Sequence, residues 1–251
     1  TAGVLAETIV TGPGVDQALR RSVPAEAHSA TTYDLKDARI AWRSVLFMAR
    51  TKVDAPFGNL ISALSPAVFE SYGIADGELF LSSVENGLQT VRMDADGEEA
   101  AVIAKIKDLE ALKRSLARDL KASEPPAQTG GFEAFRTEDT SIAAAILENI
   151  IVIGDATTVD KCVAAFKSGQ ESTPSSVNDK PAGPGAPIIT IGRDAETGPA
   201  LMRTLKGGMD APTIVQDHVT ETRFNQNGIE RRTVSDFGFI GAIIRRLDPE
   251  R

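Results

Sequence analysis

The 251-residue chain holds one cysteine, two histidines, one tryptophan and two tyrosines, and each scarcity excludes something. With Cys162 alone, neither a disulfide framework nor a cysteine-based zinc site can form within the chain. His28 and His218 lie too far apart in sequence to give a zinc-ligand spacing, and they are the only imidazole bases on offer. So few Trp and Tyr argue against stacking platforms for bases or sugars. Cations are outnumbered: 27 Lys and Arg against 35 Asp and Glu give a net charge of −8 and a pI of about 4.9, the wrong sign for a nucleic-acid partner. Long apolar runs are missing too. No stretch reaches the ~18–20 residues of a membrane-spanning helix, so no transmembrane segment is expected in this chain.

What is present suits a globular fold: 42% apolar and 25% charged residues, in a chain long enough for one large domain or two smaller lobes. The most informative stretch is Asn149-Ile150-Ile151-Val152-Ile153-Gly154-Asp155 with the residues that follow up to Lys167. Four consecutive β-branched residues without polar alternation predict a strand covered on both faces. Asp155 then suits a helix N-cap, because its carboxylate can accept from the open amides of the first turn. The helix carries Val159, Cys162, Val163 and Phe166 on one face, which makes Cys162 a buried structural thiol rather than a nucleophile. The same order of strand, Asp and helix recurs at Asp34 or Asp37, at Asp108 and at Asp194.

Residues 29–34 read as a strand, and the helix after them runs to Lys52 with Ala38, Ala41, Trp42, Val45, Met48 and Ala49 on its inner stripe, Trp42 serving as a core anchor. A second helix over 59–72 restarts at Ser65-Pro66. Asn86-Gly87, between strands at 78–84 and 88–93, is the strongest hairpin signal, since both residues of such a turn take positive φ. Asp96-Gly97 turns into a strand over 101–106, and Asp108 caps a helix with Leu109, Leu112, Leu116 and Leu120 in register. Strands follow at 132–136, 141–147 and 150–154, the last two antiparallel across Glu148-Asn149. Residues 169–186, rich in Ser, Pro, Gly and Asp, read as a flexible linker. Beyond it come a strand at 187–192, a short helix over Leu201, Met202 and Leu205, strands at 213–224 and 229–234 joined at Asn227-Gly228, and a final helix over 237–247. Hairpins outnumber crossovers, which predicts an α+β fold of mostly antiparallel sheets with helices on one face. The linker divides residues 1–168 from 187–251 into two α+β lobes, separate or packed as one unit. The order of elements in 29–120 and 187–247 suggests a degenerate duplication.

No catalytic constellation stands out, and no Gly-x-Ser-x-Gly elbow is present. Gly154-Asp155 and Gly192-Arg193-Asp194 sit where a phosphate loop would, but they match no dinucleotide or Walker pattern and the Asp would repel phosphate. Capping accounts for them. Asp217 and His218 are strand neighbours and so point to opposite faces. Asp94-Ala95-Asp96-Gly97-Glu98-Glu99 resembles the opening of a calcium loop without its third acidic position or distal Glu; an acidic turn explains it, with weak calcium binding as the alternative. No catalytic, cofactor or metal residue is therefore assigned. The C-terminal stretch is more distinctive. Phe237, Phe239, Ile240, Ile243 and Ile244 make it apolar nearly all round, and Arg245 and Arg246 follow. Such a helix either packs in the core through Gly238 and Gly241 or docks on a membrane or membrane protein with its arginines at headgroup level.

The segment Asn227-Gly228-Ile229-Glu230-Arg231-Arg232-Thr233-Val234-Ser235-Asp236-Phe237-Gly238 resembles the C-terminal segment of uncharacterised bacterial proteins, most of them exported, in which an Ile-Val-Ile-Gly-type strand like 150–154 also occurs. The resemblance implies a bacterial, extracytoplasmic setting and carries no site residue. Thr1 in place of Met fits a removed signal peptide, a removed anchor or simple trimming. The expectation is a non-enzymatic accessory subunit of a membrane-associated or extracytoplasmic assembly, with a protein partner and no cofactor. Two alternatives stay open: a small ligand held between two lobes around 169–186, and a hydrolase whose acidic residues meet only in three dimensions. The lack of disulfides leaves a cytoplasmic location as the alternative setting.

Overall fold

Ile150 to Ile153 are almost wholly shielded from solvent, in a strand with neighbours on both sides and helices above and below. The computed structural model describes residues 2–51, 58, 60, 65–120, 127–129, 131–169, 185–194 and 216–235. In chain order these form α1 (Ala2–Thr8), α2 (Gln17–Arg21), β1 (Ser29–Asp34), α3 (Ala38–Thr51), α4 (Ala67–Glu70), α5 (Gly77–Ser83), β2 (Val84–Arg92), β3 (Ala100–Ile106), α6 (Leu109–Asp119), β4 (Ala127–Thr129), β5 (Phe132–Arg136), β6 (Ile142–Leu147), β7 (Ile150–Asp155), α7 (Ala156–Ser168), β8 (Ile188–Asp194), β9 (Gln216–Asn225) and β10 (Gly228–Ser235). The strands make one ten-stranded sheet in the order β10-β9-β8-β1-β2-β3-β7-β6-β5-β4, antiparallel at every pairing. The fold is α+β with an antiparallel sheet, as expected.

The helices, however, cover both faces rather than one. Alternation along β3 and β7 sends Val102, Ala104, Ile151 and Ile153 to one face and Ala101, Ile103, Ile150 and Val152 to the other. Both sets are apolar, so each face must be covered. On the first face α6 buries Leu112 and Leu116, with Leu120 just beyond its end, and α3 and α5 pack alongside. On the second, α7 buries Val159, Cys162 and Val163, with Leu19 of α2 beside them. Both central helices start as expected. Asp108 Oδ1 accepts from the Ala111 amide at 2.9 Å, and Asp155 Oδ1 accepts from the Thr158 amide at 2.8 Å and its hydroxyl at 2.9 Å. Gly154 is fixed by the pairing of β7 with β3: a Cβ there would lie 2.6 Å from Ala101 Cα.

The predicted hairpin at Asn86-Gly87 does not form. Residues 77–83 are helical because Asp76 Oδ1 caps the Leu79 amide at 2.9 Å and the helix buries Phe80 and Leu81. Asn86 and Gly87 instead lie within β2, where Gly87 pairs with Asp34 and the register against β3 shifts between Val84 and Leu88. Tertiary packing outweighs the local turn preference there. In the β9–β10 hairpin the turn falls one residue early, at Gln226-Asn227, with Asn225 Oδ1 accepting from the Asn227 and Gly228 amides at 2.9 and 3.0 Å.

The C-terminal strands extend the sheet beyond β1: β8 pairs with it from Ser29↔Gly192 to Tyr33↔Ile188. The helices predicted at 201–205 and 237–247, and most of the 169–186 linker, lie outside the described residues. An internal duplication is not shown. The pairing does align five threonines directly opposite one another on the α3 face, in the order Thr233, Thr220, Thr190, Thr31 and Thr90.

Candidate functional site

The threonine row ends at Thr90 on β2, which pairs with Val102 on β3, and a cavity lies over that junction. Its floor is Tyr33, Leu88, Thr90, Val102 and Ile188 from four adjacent strands. Its roof and walls come from α3 (Ala38, Ala41, Trp42, Val45), the α4 segment (Val68, Phe69, Tyr72) and α5 (Phe80, Leu81), with Ile9 and Leu35 closing one end. The volume is about 230 Å³. Val45 and Val68 are exposed and mark the mouth.

Local structure explains the position of each wall. Asp37 Oδ1 accepts from the Ile40 amide at 2.8 Å and starts α3, whose Ala38, Ala41, Ser44 and Met48 are buried. That leaves Trp42 and Val45 on the flank facing α4. Trp42 meets Phe69 edge-on, ring centroids 5.0 Å apart at 90°, an arrangement the aromatic quadrupoles favour. Phe69 in turn lies against Gly77, where any Cβ would collide with its ring. On the outside Glu78 of α5 holds α3: Arg43 Nε is 3.0 Å from both carboxylate oxygens, and Arg39 Nε is 3.6 Å away. The Glu78 carboxylate pushes the Arg43 guanidinium further above its usual range.

Among the described residues no charged side chain lines the cavity. The polar side-chain groups among these lining residues are the hydroxyls of Tyr33, Tyr72 and Thr90 and the indole N–H of Trp42. Burial pushes the Tyr33 phenol above its ordinary pKa, the Thr90 side chain opposes the rise by hydrogen bonding, and Tyr72 adds to it. The phenol is therefore neutral at physiological pH and keeps a proton to donate.

The features singled out in the sequence fall elsewhere. Phe237, Phe239, Ile240, Ile243, Ile244, Arg245 and Arg246 lie outside the described residues. In the 94–99 turn the Asp94 carboxylate accepts from the Gly97, Glu98 and Glu99 amides at 2.7, 3.2 and 3.2 Å, a backbone cap rather than an open ligand set. Among the described residues no cluster of His, Cys, Asp and Glu could hold a metal ion, and no helix is long and apolar enough to cross a membrane. His218 stands over Gly192, where a Cβ would meet its Cε1 at 2.5 Å. Cys162 is fully buried, and burial pushes its thiol up to about 12.

Sequence reasoning missed Tyr33, Phe69, Tyr72 and Thr90; Trp42 packs against the core, as expected, and also lines the cavity. One signal was available: a chain with a single Trp and two Tyr brings all three to one cavity. No known protein family, curated protein or solved structure matches the chain.

Proposed function

We propose that the protein is a non-enzymatic binder of a small apolar ligand held under α3. The observation that supports this is the convergence of Trp42, Tyr33 and Tyr72, the chain's whole complement of Trp and Tyr, on one cavity of about 230 Å³. Protein interiors fill such space. At ~24 cal/mol per Å³ an empty void of this size would cost roughly 5 kcal/mol, an upper bound for a cavity with a mouth. A 150 Å³ cavity takes benzene, so by proportion this one suits a ligand of about nine carbons.

Trp42, being the only tryptophan, makes the test direct. Propylbenzene is titrated into the protein while its emission and melting temperature are followed. A saturable emission change with a raised melting temperature is expected. A flat response in both, up to the solubility limit, overturns the reading.

A second reading, an accessory subunit docking on a protein partner at a membrane-associated or extracytoplasmic assembly, draws support from α3. Ile40 and Phe47, two turns apart, are 49% and 57% exposed beside Arg39, Arg43 and Arg50. Native pull-down from detergent-solubilised membranes tests it: a stoichiometric partner that an Ile40→Asp/Phe47→Asp variant loses supports docking, and a free monomer removes it.

A further inference from the structure

Resting on the reading of this cavity as a ligand site, we propose that its ligand is a neutral molecule bearing one hydroxyl or carbonyl group, selected by the Tyr33 hydroxyl, and not a carboxylate. The lining offers hydrogen bonds without countercharge: among the described residues it holds three hydroxyls and the Trp42 indole N–H, and no Lys, Arg or His. Arg92 acts on the Tyr33 phenol only as the last and smallest influence on its pKa, and no cation lines the space itself among the described residues. Arg39 and Arg43 lie on the outer side of α3 against Glu78. Arg92, on the strand of Thr90, has its guanidinium over the 94–97 turn, where a Gly97 Cβ would lie 3.3 Å from Arg92 Cζ.

Burial of a carboxylate without a cation costs several kcal/mol, whereas a hydroxyl or carbonyl needs a single hydrogen bond to be accommodated. Tyr33 stands at the right place for it. The residue pairs with Leu88 and Ile188 on either side, so its side chain rises from the floor between two aliphatic neighbours that also line the cavity. Thr90, on the adjacent strand, supports the phenol from the same face. An amphiphile therefore enters with its carbon skeleton among Trp42, Phe69 and Leu81 and its oxygen at Tyr33. The arrangement makes Tyr33 a specificity-determining residue.

Three probes of one shape separate the possibilities: propylbenzene, 3-phenyl-1-propanol and 3-phenylpropanoate, each titrated at pH 8 by Trp42 emission and calorimetry against the wild type and Tyr33→Phe. The alcohol is expected to bind about fivefold tighter than propylbenzene, the value of one net hydrogen bond, and the carboxylate at least tenfold weaker than the alcohol. In Tyr33→Phe the alcohol loses its advantage, so that the ratio of its affinity to that of propylbenzene falls to about one. Carboxylate binding as tight as the alcohol's, or an alcohol affinity untouched by Tyr33→Phe, overturns the selection while leaving the site in place. Failure of all three probes with the wild type overturns both.

Discussion

The hydroxyls of Thr31 and Thr190 meet at 2.9 Å across the seam where β8 joins β1. That seam ties the C-terminal strands to the rest of the sheet, and the contact belongs to the row of five threonines, in which Thr220 and Thr233 make a second pair at 2.8 Å. Cross-strand Thr pairs contribute up to ~1 kcal/mol, and a half-buried hydroxyl left alone costs about 1–2 kcal/mol. Thr31→Val and Thr190→Val should each lower stability by about 1 kcal/mol. The double variant should lose less than the sum, because neither hydroxyl is then stranded. Urea unfolding of the four-member cycle measures this, and strict additivity would show the two hydroxyls to be uncoupled.

Asp155 offers a cleaner local experiment. Its carboxylate closes the first turn of α7 through both the amide and the hydroxyl of Thr158. Asp155→Ala should cost about 1 kcal/mol or somewhat more, and Asp155→Asn, which keeps an acceptor, clearly less. Equal losses for the two would mean that charge at the helix end matters more than the hydrogen bonds.

These caps were readable in the sequence because the signal is short-range: an Asp at the end of an apolar run, followed by a helical period. The same holds for β7, where Ile150 to Ile153 specify burial on both sides without help from distant residues. What was not readable depended on partners far along the chain. Asn86-Gly87 carries a strong turn preference, yet Gly87 is drawn into β2 by Asp34, fifty-three positions earlier in the sequence, while Asp76 commits the preceding residues to a helix. The cavity is harder still. Tyr33, Trp42, Tyr72 and Thr90 have no common spacing, and only the β1–β2 pairing and the seat of α3 bring them together. Two covered faces, rather than one, were implied by the unbroken apolar run in β7, but the helix that covers the second face could be assigned only once the sheet order was known.

Cys162 links burial to pH. Its thiol is pushed from an ordinary 9.0 up to about 12, first by burial, then by Glu26, with Lys161 opposing. The folded protein holds this proton more tightly than the unfolded chain does. The contribution is therefore intact below pH ~9 and lost as the pH rises through about 12, at ~1.4 kcal/mol per pH unit in between. Between pH 8 and 10.5 the wild type should lose about 2 kcal/mol from this source, and Cys162→Ala should show a correspondingly shallower decline. Parallel curves for the two proteins would mean that the thiol stays neutral in the unfolded chain as well or is reached by water in the folded one. Iodoacetamide at pH 8 should label Cys162 only at the rate at which the fold opens.

Ala41 separates a ligand cavity from a packing irregularity by the sign of one measurement. It is buried in the first turn of α3 and lines the cavity, so Ala41→Leu directs three further carbons into the space beside Trp42 and Phe69. Where a core is already full, such an insertion strains its neighbours and costs about 1–3 kcal/mol. Where about 230 Å³ stands open, the added carbons recover dispersion contacts, and a gain of about 1 kcal/mol is expected. The same substitution should weaken propylbenzene binding at least tenfold, since the ligand and the leucine compete for one volume. Saturating ligand adds stability in proportion to the logarithm of its concentration over Kd, so the wild type should gain melting temperature with propylbenzene and the variant should not. A variant that is both more stable and unresponsive to ligand is what an open cavity requires. A destabilised variant that still binds propylbenzene would place the binding elsewhere on the molecule.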